Sequence, residues 1–304
     1  MNILVIGGNG FIGSHLIDYL LLKGHNVRVF DLYKERYREP LANVDYRISN
    51  LENIPDLYES LLGIDIVFHL ASSSVPSTSN IDTISDINKN LIPTINILNL
   101  SLKLGIKKFI YFSSGGAVYG VPKTKLISEE HPLNPISSYG IVKASIEKYL
   151  LLYQRLYGLK PLIIRPSNPY GPRQGHFIAQ GVISTFLRKS IMNEEITVFG
   201  DGNSAKDYIY IKDLIIMTYD LCFSEKDGIF NLGSGRGLSI NQIIEQIKKT
   251  TSKNLDIKNV DKQIYDVDNF ILDISKITDL LGTYQFTSLE YGISETWDWL
   301  NSIK

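Results

Sequence analysis

Cysteine is nearly absent. Cys222 is the only one in 304 residues, so intrachain disulfides and thiolate metal clusters are both excluded. The five histidines, at 15, 25, 69, 131 and 176, show no metal-ligand spacing. No block of one charge sign occurs. The formal net charge is −1 with the charges mixed along the chain, which leaves no basic field to hold nucleic acid or an anionic membrane. Long hydrophobic runs are missing as well: the apolar stretch Tyr19–Leu22 ends at Lys23-Gly24, far too short to span a bilayer. The start, Met1 to Gly7, lacks the features of a signal peptide, and no G-x-S-x-G elbow marks a hydrolase. These absences lead us to expect a soluble, cytoplasmic protein without nucleic-acid partners or membrane insertion.

The composition is that of an ordinary globular protein, 44% hydrophobic and 21% charged. Short β-branched runs at Ile3–Gly7, Val27–Asp31, Val44–Ile48, Ile64–Leu70, Lys108–Ser113 and Leu162–Arg165 read as strands. Helical patterns fill the gaps, chiefly Phe11–Lys23, Ile84–Leu104 and Ser138–Tyr157, with Gly24, Gly105 and Gly158 as C-caps. Strands that do not alternate in polarity suit a parallel sheet buried on both faces. The expected fold is therefore α/β: a doubly wound, Rossmann-type parallel sheet. After about residue 166 proline and glycine become frequent, in Arg165-Pro166-Ser167-Asn168-Pro169-Tyr170-Gly171-Pro172. A helix is expected over Phe177–Met192, strands at Ile196–Phe199, Asp207–Ile211 and Ile229–Leu232, and helices over Ser239–Thr250 and Leu289–Ser302. We expect residues 1–166, with return segments near 207–232, to form the dinucleotide-binding domain. Residues 167–304 are expected to form mainly a smaller substrate-binding lobe.

The chemistry starts at Gly7-Gly8-Asn9-Gly10-Phe11-Ile12-Gly13, directly between the first strand and the first helix. Glycines there permit a tight turn and close approach of a pyrophosphate, which the N–H groups of the helix start favour. Gly7, Gly10, Phe11, Ile12 and Gly13 are thus candidate cofactor ligands. The second strand ends at Asp31, eighteen positions after Gly13, where a carboxylate would bind ribose hydroxyls and repel a 2′-phosphate. That favours NAD, although Lys34, Arg36 and Arg38 leave NADP open.

Tyrosine four positions before lysine occurs four times, at Tyr19/Lys23, Tyr119/Lys123, Tyr139/Lys143 and Tyr208/Lys212. Only Tyr139/Lys143 opens a long helix after an N-cap and follows a strand ending in Phe112-Ser113-Ser114. A phenol titrating near ~10 needs a shift of roughly 3 units, or ~4 kcal/mol, to serve as a base at neutral pH. A cation at ~5 Å with an effective dielectric of ~20 contributes ~3 kcal/mol. Lys143 and an oxidised nicotinamide together would suffice.

Taken in order, these segments resemble the extended short-chain dehydrogenase/reductases, specifically the UDP-glucose 4-epimerase-like members of the NAD-dependent epimerase/dehydratase group. The resemblance runs nearly end to end. It includes Gly7 to Gly13, Asp31, His69-Leu70-Ala71, Asn90, Phe112 to Gly120, Tyr139 to Lys143, Ser167 to Pro172, Phe199-Gly200-Asp201-Gly202, Asp207 to Tyr210 and Asn231-Leu232-Gly233. It implies that Asn50 and Leu51 lie against the adenine and that His69, Leu70, Ala71 and Ser72 line the nicotinamide side. It also implies that Asn90, Ser113 and Pro166 join the cofactor site. Asn168 would meet a sugar nucleotide's diphosphate, and the helices Ile84–Leu104 and Ser138–Tyr157 would pair in a homodimer.

The sequence departs from the family pattern at three places. Gly115 stands where a catalytic serine or threonine is usual, leaving Ser114 to supply the hydroxyl only through a backbone shift. Lys206 and Gln263 stand where phosphate-binding arginines are usual, and a lysine lacks the bidentate fork. Candidate substrate contacts are Ser114, Gly115, Tyr139, Asn168, Lys206 and Gln263. The leading function is NAD-dependent 4-epimerisation of a nucleoside-diphosphate hexose, UDP-Glc/Gal or UDP-GlcNAc/GalNAc, through a 4-keto intermediate. An NAD(P)H-dependent 4-ketoreductase of a deoxy-sugar nucleotide and a catalytically weak NAD or nucleotide-sugar binding protein are the alternatives. A 4,6-dehydratase would need an Asp-Glu pair where this chain has Gly116-Ala117.

Overall fold

The first strand sets the architecture. Asn2–Ile6 has Ile3, Leu4, Val5 and Ile6 fully buried, as a strand covered on both faces must be. It lies inside a seven-stranded sheet ordered Gly228–Leu232, Lys160–Pro166, Lys108–Phe112, Ile66–His69, Asn2–Ile6, Asn26–Asp31, Val44–Ile48. The six strands from Lys160–Pro166 to Val44–Ile48 run parallel. Chain order reverses beside Asn2–Ile6, because the chain builds outward to Val44–Ile48 and then crosses back to Ile66–His69. Ligands of doubly wound sheets bind at such a switch point, outside the carboxyl ends of the strands.

The computed structural model describes residues 1–75, 78–175, 181–261 and 269–303. The chain divides into two compact units. One comprises Met1–Gly120, Pro132–Arg165 and Thr218–Phe230; the other comprises Val121–His131, Pro166–Met217 and Asn231–Lys304. Within the first unit, Leu57, Leu61, Ile97, Leu98, Val142 and Ile146 of the flanking helices pack on Leu4, Val67, Phe109 and Ile163 of the sheet. The helix Ser138–Tyr157 is capped at both ends. Ser137 accepts from the Gly140 N–H at 3.2 Å, and Gly158, at φ 68°, takes the left-handed position that closes it.

In the second unit, Ala205–Tyr210 pairs parallel with Asn168–Tyr170 and antiparallel with Gly237–Ser239. Ile196–Phe199 pairs with Ile257–Val260. The buried Asp207 carboxylate gathers the N–H groups of Ser234, Gly235 and Leu272, and the Ser234 hydroxyl. No helix among the described residues is long and apolar enough to cross a membrane.

Several element boundaries differ from the sequence expectation. The helix expected over Ile84–Leu104 is broken into Thr83–Asp86, a π-turn Ile87–Leu91 and Ile92–Lys103. The strand expected at Asp207–Ile211 ends at Tyr210, and Ile211 opens a helix through Cys222. The β-branched Ile215-Ile216 concealed that helix, although the buried Leu214, Ile215, Thr218 and Leu221 have its spacing. Of the helix expected over Phe177–Met192, Val182–Met192 is described, and 176–180 lie outside the described residues.

Candidate active site

The glycine loop leaves the first strand and enters the helix Phe11–Leu22 at the switch point. Its tightness is measurable. A Cβ on Gly13 would lie 2.4 Å from the Gly7 carbonyl oxygen, and one on Gly7, at φ +82°, would lie 2.6 Å from the Ala71 amide nitrogen. Gly10 is the N-cap and offers no side-chain capping bond, so the first helical N–H groups remain available to an anion. Phe11 and Ile12, in the first helical turn, are half-buried. Asp31 stands at the end of its strand and accepts from the backbone N–H groups of Asn9 at 2.9 Å and Tyr33 at 3.0 Å. Burial raises its pKa, and those N–H groups partly offset the rise. Leu70 and Ala71 both donate their N–H groups to the Ile6 carbonyl, which turns this segment toward the glycine loop. Ser72 is exposed. Asn50 is exposed with its side chain accepting from the Glu52 N–H, and Leu51 packs on the core.

The tyrosine–lysine pair lies on the first two turns of Ser138–Tyr157. The Ser114 hydroxyl hydrogen-bonds Tyr139. Ser114 is extended, with φ −155° and ψ 111°, ahead of the short turn Gly115–Val118. Lys143 is buried and donates to the Phe112 carbonyl at 2.8 Å, with its ammonium 5.6 Å from the centre of the Tyr139 ring. Burial pulls the Lys143 pKa down to about 8, while Glu147 and Asp86 oppose the fall. The phenol of Tyr139 is buried. Desolvation drives its pKa up to about 12, Ser114 relieves it, and Asp86 adds to the rise.

Around this pair lies a polar shell that local spacing conceals. Asn90, in the π-turn, accepts from the Ser73 N–H at 2.8 Å and donates to the Asp86 carboxylate at 2.7 Å. His69 is buried with Nε2 2.9 Å from the Thr94 hydroxyl, and burial lowers its pKa to about 3. Ser113 donates to Glu147, which also pairs with the buried Arg165 at 2.6 Å. Asp86, Asn90, Tyr111, Tyr139 and Lys143 share the wall of a cavity of about 10 Å³, roughly room for one water.

Pro166, Asn168 and Lys206 fall in the second unit. Pro166 ends its strand, buried. Asn168 donates its amide to the Asp207 carbonyl at 2.8 Å, and Lys206 is half-buried on the strand Ala205–Tyr210, bridged to Phe270. Gln263 lies outside the described residues. Of the other tyrosine–lysine spacings, Lys23 lies over the ring of Tyr19 on the first helix, Tyr119 is bonded to Arg165 at the end of a turn, and Tyr208/Lys212 straddles a strand-to-helix junction. Among the described residues no cluster of His, Cys, Asp and Glu could hold a metal.

Residues 3–233 match the model of the NAD dependent epimerase/dehydratase family. A UDP-glucose 4-epimerase of Thermotoga maritima, solved with UDP-glucose, superposes with TM-score 0.94 at 35% identity, covering 100% of this chain and 99% of that one. A dTDP-4-dehydro-6-deoxyglucose reductase of Escherichia coli is 33% identical over 96% of this chain and 95% of its own length. A UDP-glucose 4-epimerase of Mycolicibacterium smegmatis is 30% identical over 97% of each protein.

Proposed function

Since the chain belongs to the NAD-dependent epimerase/dehydratase family and is an NAD-dependent enzyme of the extended short-chain dehydrogenase/reductase type, we propose that it interconverts C4 epimers of a nucleoside-diphosphate hexose, a UDP-linked sugar. The glycine cradle fits the cofactor, since a side chain at Gly7 or Gly13 would fill the space that a pyrophosphate needs. When bound, NAD supplies a hydride acceptor that is restored within each cycle.

The observation that carries the proposal is the Ser114–Tyr139–Lys143 constellation. Tyr139 takes the proton of the C4 hydroxyl, and Ser114 donates to the phenolic oxygen as negative charge grows there. Lys143, tied to the Phe112 carbonyl, orients the nicotinamide ribose and favours the ionised phenol. The 4-keto sugar then turns over in its site and is protonated by Tyr139 after reduction on its opposite face. Asp31 holds the adenosine ribose, and Asn168 and Lys206 hold the substrate diphosphate. No acid–base carboxylate stands at Gly116 or Ala117, which argues against β-elimination. The intact constellation argues against a binding protein.

The exposed Ile141, Leu152 and Leu156 share one side of the catalytic helix, an apolar stripe that we assign to a homodimer, read out by sedimentation. We place the enzyme in the cytoplasm, where its lone buried Cys222 stays reduced.

The proposal is tested by incubating NAD-loaded protein with UDP-Glc, UDP-GlcNAc and their C4 epimers, without added reductant. Redox-neutral interconversion that disappears in Tyr139→Phe supports it. Reduction of a 4-keto sugar nucleotide by added NADH or NADPH, with no epimerisation, would make the enzyme a 4-ketoreductase.

A further inference from the structure

We propose that Asp86 is a positioning residue for the catalytic pair: a buried carboxylate that ties down the Ser138–Tyr139 corner and sets a negative charge against Tyr139 and Lys143. The inference rests on Tyr139 being the base, and it adds a residue to which that chemistry assigns no step.

Asp86 ends the short helix Thr83–Asp86, where the chain enters the π-turn Ile87–Leu91. A π-turn inserts one residue into a helix, and such turns gather at functional sites. Here the Asn90 amide reaches both the Asp86 carbonyl, at 3.1 Å, and its carboxylate, at 2.7 Å. The same carboxylate oxygen accepts from the Ser74 hydroxyl at 2.7 Å, and the other accepts from the Ser138 hydroxyl at 2.8 Å. Three segments therefore meet on one side chain: the loop after the strand Ile66–His69, the π-turn and the start of the catalytic helix. Ser138 is held from its other side too, since its N–H donates to Asn80 at 2.8 Å. Tyr139 is the next residue, so its backbone inherits both restraints.

The donors to Asp86 are hydroxyls and an amide, which satisfy the carboxylate without cancelling its charge. The residue is only 3% exposed, and a charge in such surroundings acts over a longer range than in water. It lines the same cavity as Tyr139 and Lys143. Lys143 faces Asp86, Glu147 on its own helix, and His69 and Tyr111 on the strands. Tyr139 faces Ser114, Tyr111 and Asp86. Of these, Asp86 favours the ammonium on Lys143 and disfavours the phenolate on Tyr139. It keeps the lysine charged while holding the proton on the tyrosine.

The test uses NAD-loaded protein carrying tyrosine labelled with ¹³C at Cζ, with Tyr139→Phe assigning the resonance. Titration between about pH 6 and about pH 12 reads Tyr139 ionisation directly. Asp86→Asn is expected to lower the Tyr139 midpoint by about one pH unit. Ser138→Ala, which leaves the charge but releases it from the helix, is expected to move it a smaller step in the same direction. An unchanged midpoint in folded Asp86→Asn overturns the proposal. If that variant does not fold, an unchanged midpoint in Ser138→Ala overturns it instead. No sugar is present, so the outcome stands whether or not the epimerase assay succeeds.

Discussion

The Ser114 hydroxyl is hydrogen-bonded to the phenol of Tyr139, and it is the partner that relieves a tyrosine otherwise held protonated by burial. A group that stabilises charge appearing on the phenolic oxygen acts in the transition state more than in the ground state. Ser114→Ala is expected to lower kcat by roughly tenfold to a thousandfold with KM little changed, and Ser114→Thr to retain most activity. Steady-state kinetics on the C4 interconversion measure both. A full-speed Ser114→Ala enzyme would remove the serine from the mechanism.

Gly13→Ala attacks the cofactor cradle. The new methyl would meet the Gly7 carbonyl oxygen at 2.4 Å and the Gly8 Cα at 2.7 Å, all backbone that cannot swing aside. Loss of about 1–3 kcal/mol of stability is expected, together with loss of NAD co-purifying with the protein. Chromatography of the denatured supernatant counts the released dinucleotide. Full NAD occupancy in this variant would mean that the pyrophosphate does not depend on the loop.

His69 makes the fold acid-sensitive. Its pKa is about 3 when folded, against 6.5 for a free histidine, because burial penalises the imidazolium. Between those values the unfolded chain binds more protons, so stability falls as pH drops from 6.5 toward 3. By about pH 4.5 the loss from this residue is of order 2–3 kcal/mol. In His69→Leu the urea midpoint is expected to fall less over the same range. Thr94 keeps a partner there, since its hydroxyl also donates to the Asn90 carbonyl at 2.6 Å. Parallel acid limbs in the two proteins would contradict the assignment.

Glu147 and Arg165 carry structural weight out of reach of solvent. Their side chains are 1% and 2% exposed, and Glu147 also receives the Ser113 hydroxyl. Removing one partner of such a pair strands the other, so Glu147→Ala is expected to cost roughly 3–5 kcal/mol. Asp45→Ala, which breaks the more exposed Arg28–Asp45 pair, is expected to cost no more than about 1 kcal/mol. Denaturant unfolding of the two variants compares them directly.

What could be read from the sequence follows from how local each feature is. The glycine loop, Asp31 and the Tyr139/Lys143 spacing are set by a strand end, a helix start and one helical turn, so the linear order contains them. Ser114 and Gly115 differ by one position, and which of them meets Tyr139 depends on the extended backbone of Ser114, which no residue pattern specifies. Asp86, Glu147 and Arg165 acquire their roles from partners up to 52 residues away. The hint available was periodicity: Asp86 sits four before Asn90, and Glu147 four after Lys143, each on the face of a residue already marked. The helix Ile211–Cys222 was hidden because its β-branched residues favour strands while burial of one face favours the helix.

The most direct measurement follows the hydrogen at C4. NAD-loaded enzyme is given UDP-glucose deuterated at C4, with no added reductant, and the product is analysed by mass spectrometry and NMR. Hydride removed to the cofactor and returned to the opposite face of the same carbon keeps the label, so UDP-galactose still deuterated at C4 is the expected result. The same experiment on UDP-GlcNAc covers the second candidate sugar. No interconversion of either pair, or a C4 epimer that has lost its deuterium to solvent, would contradict hydride return at C4.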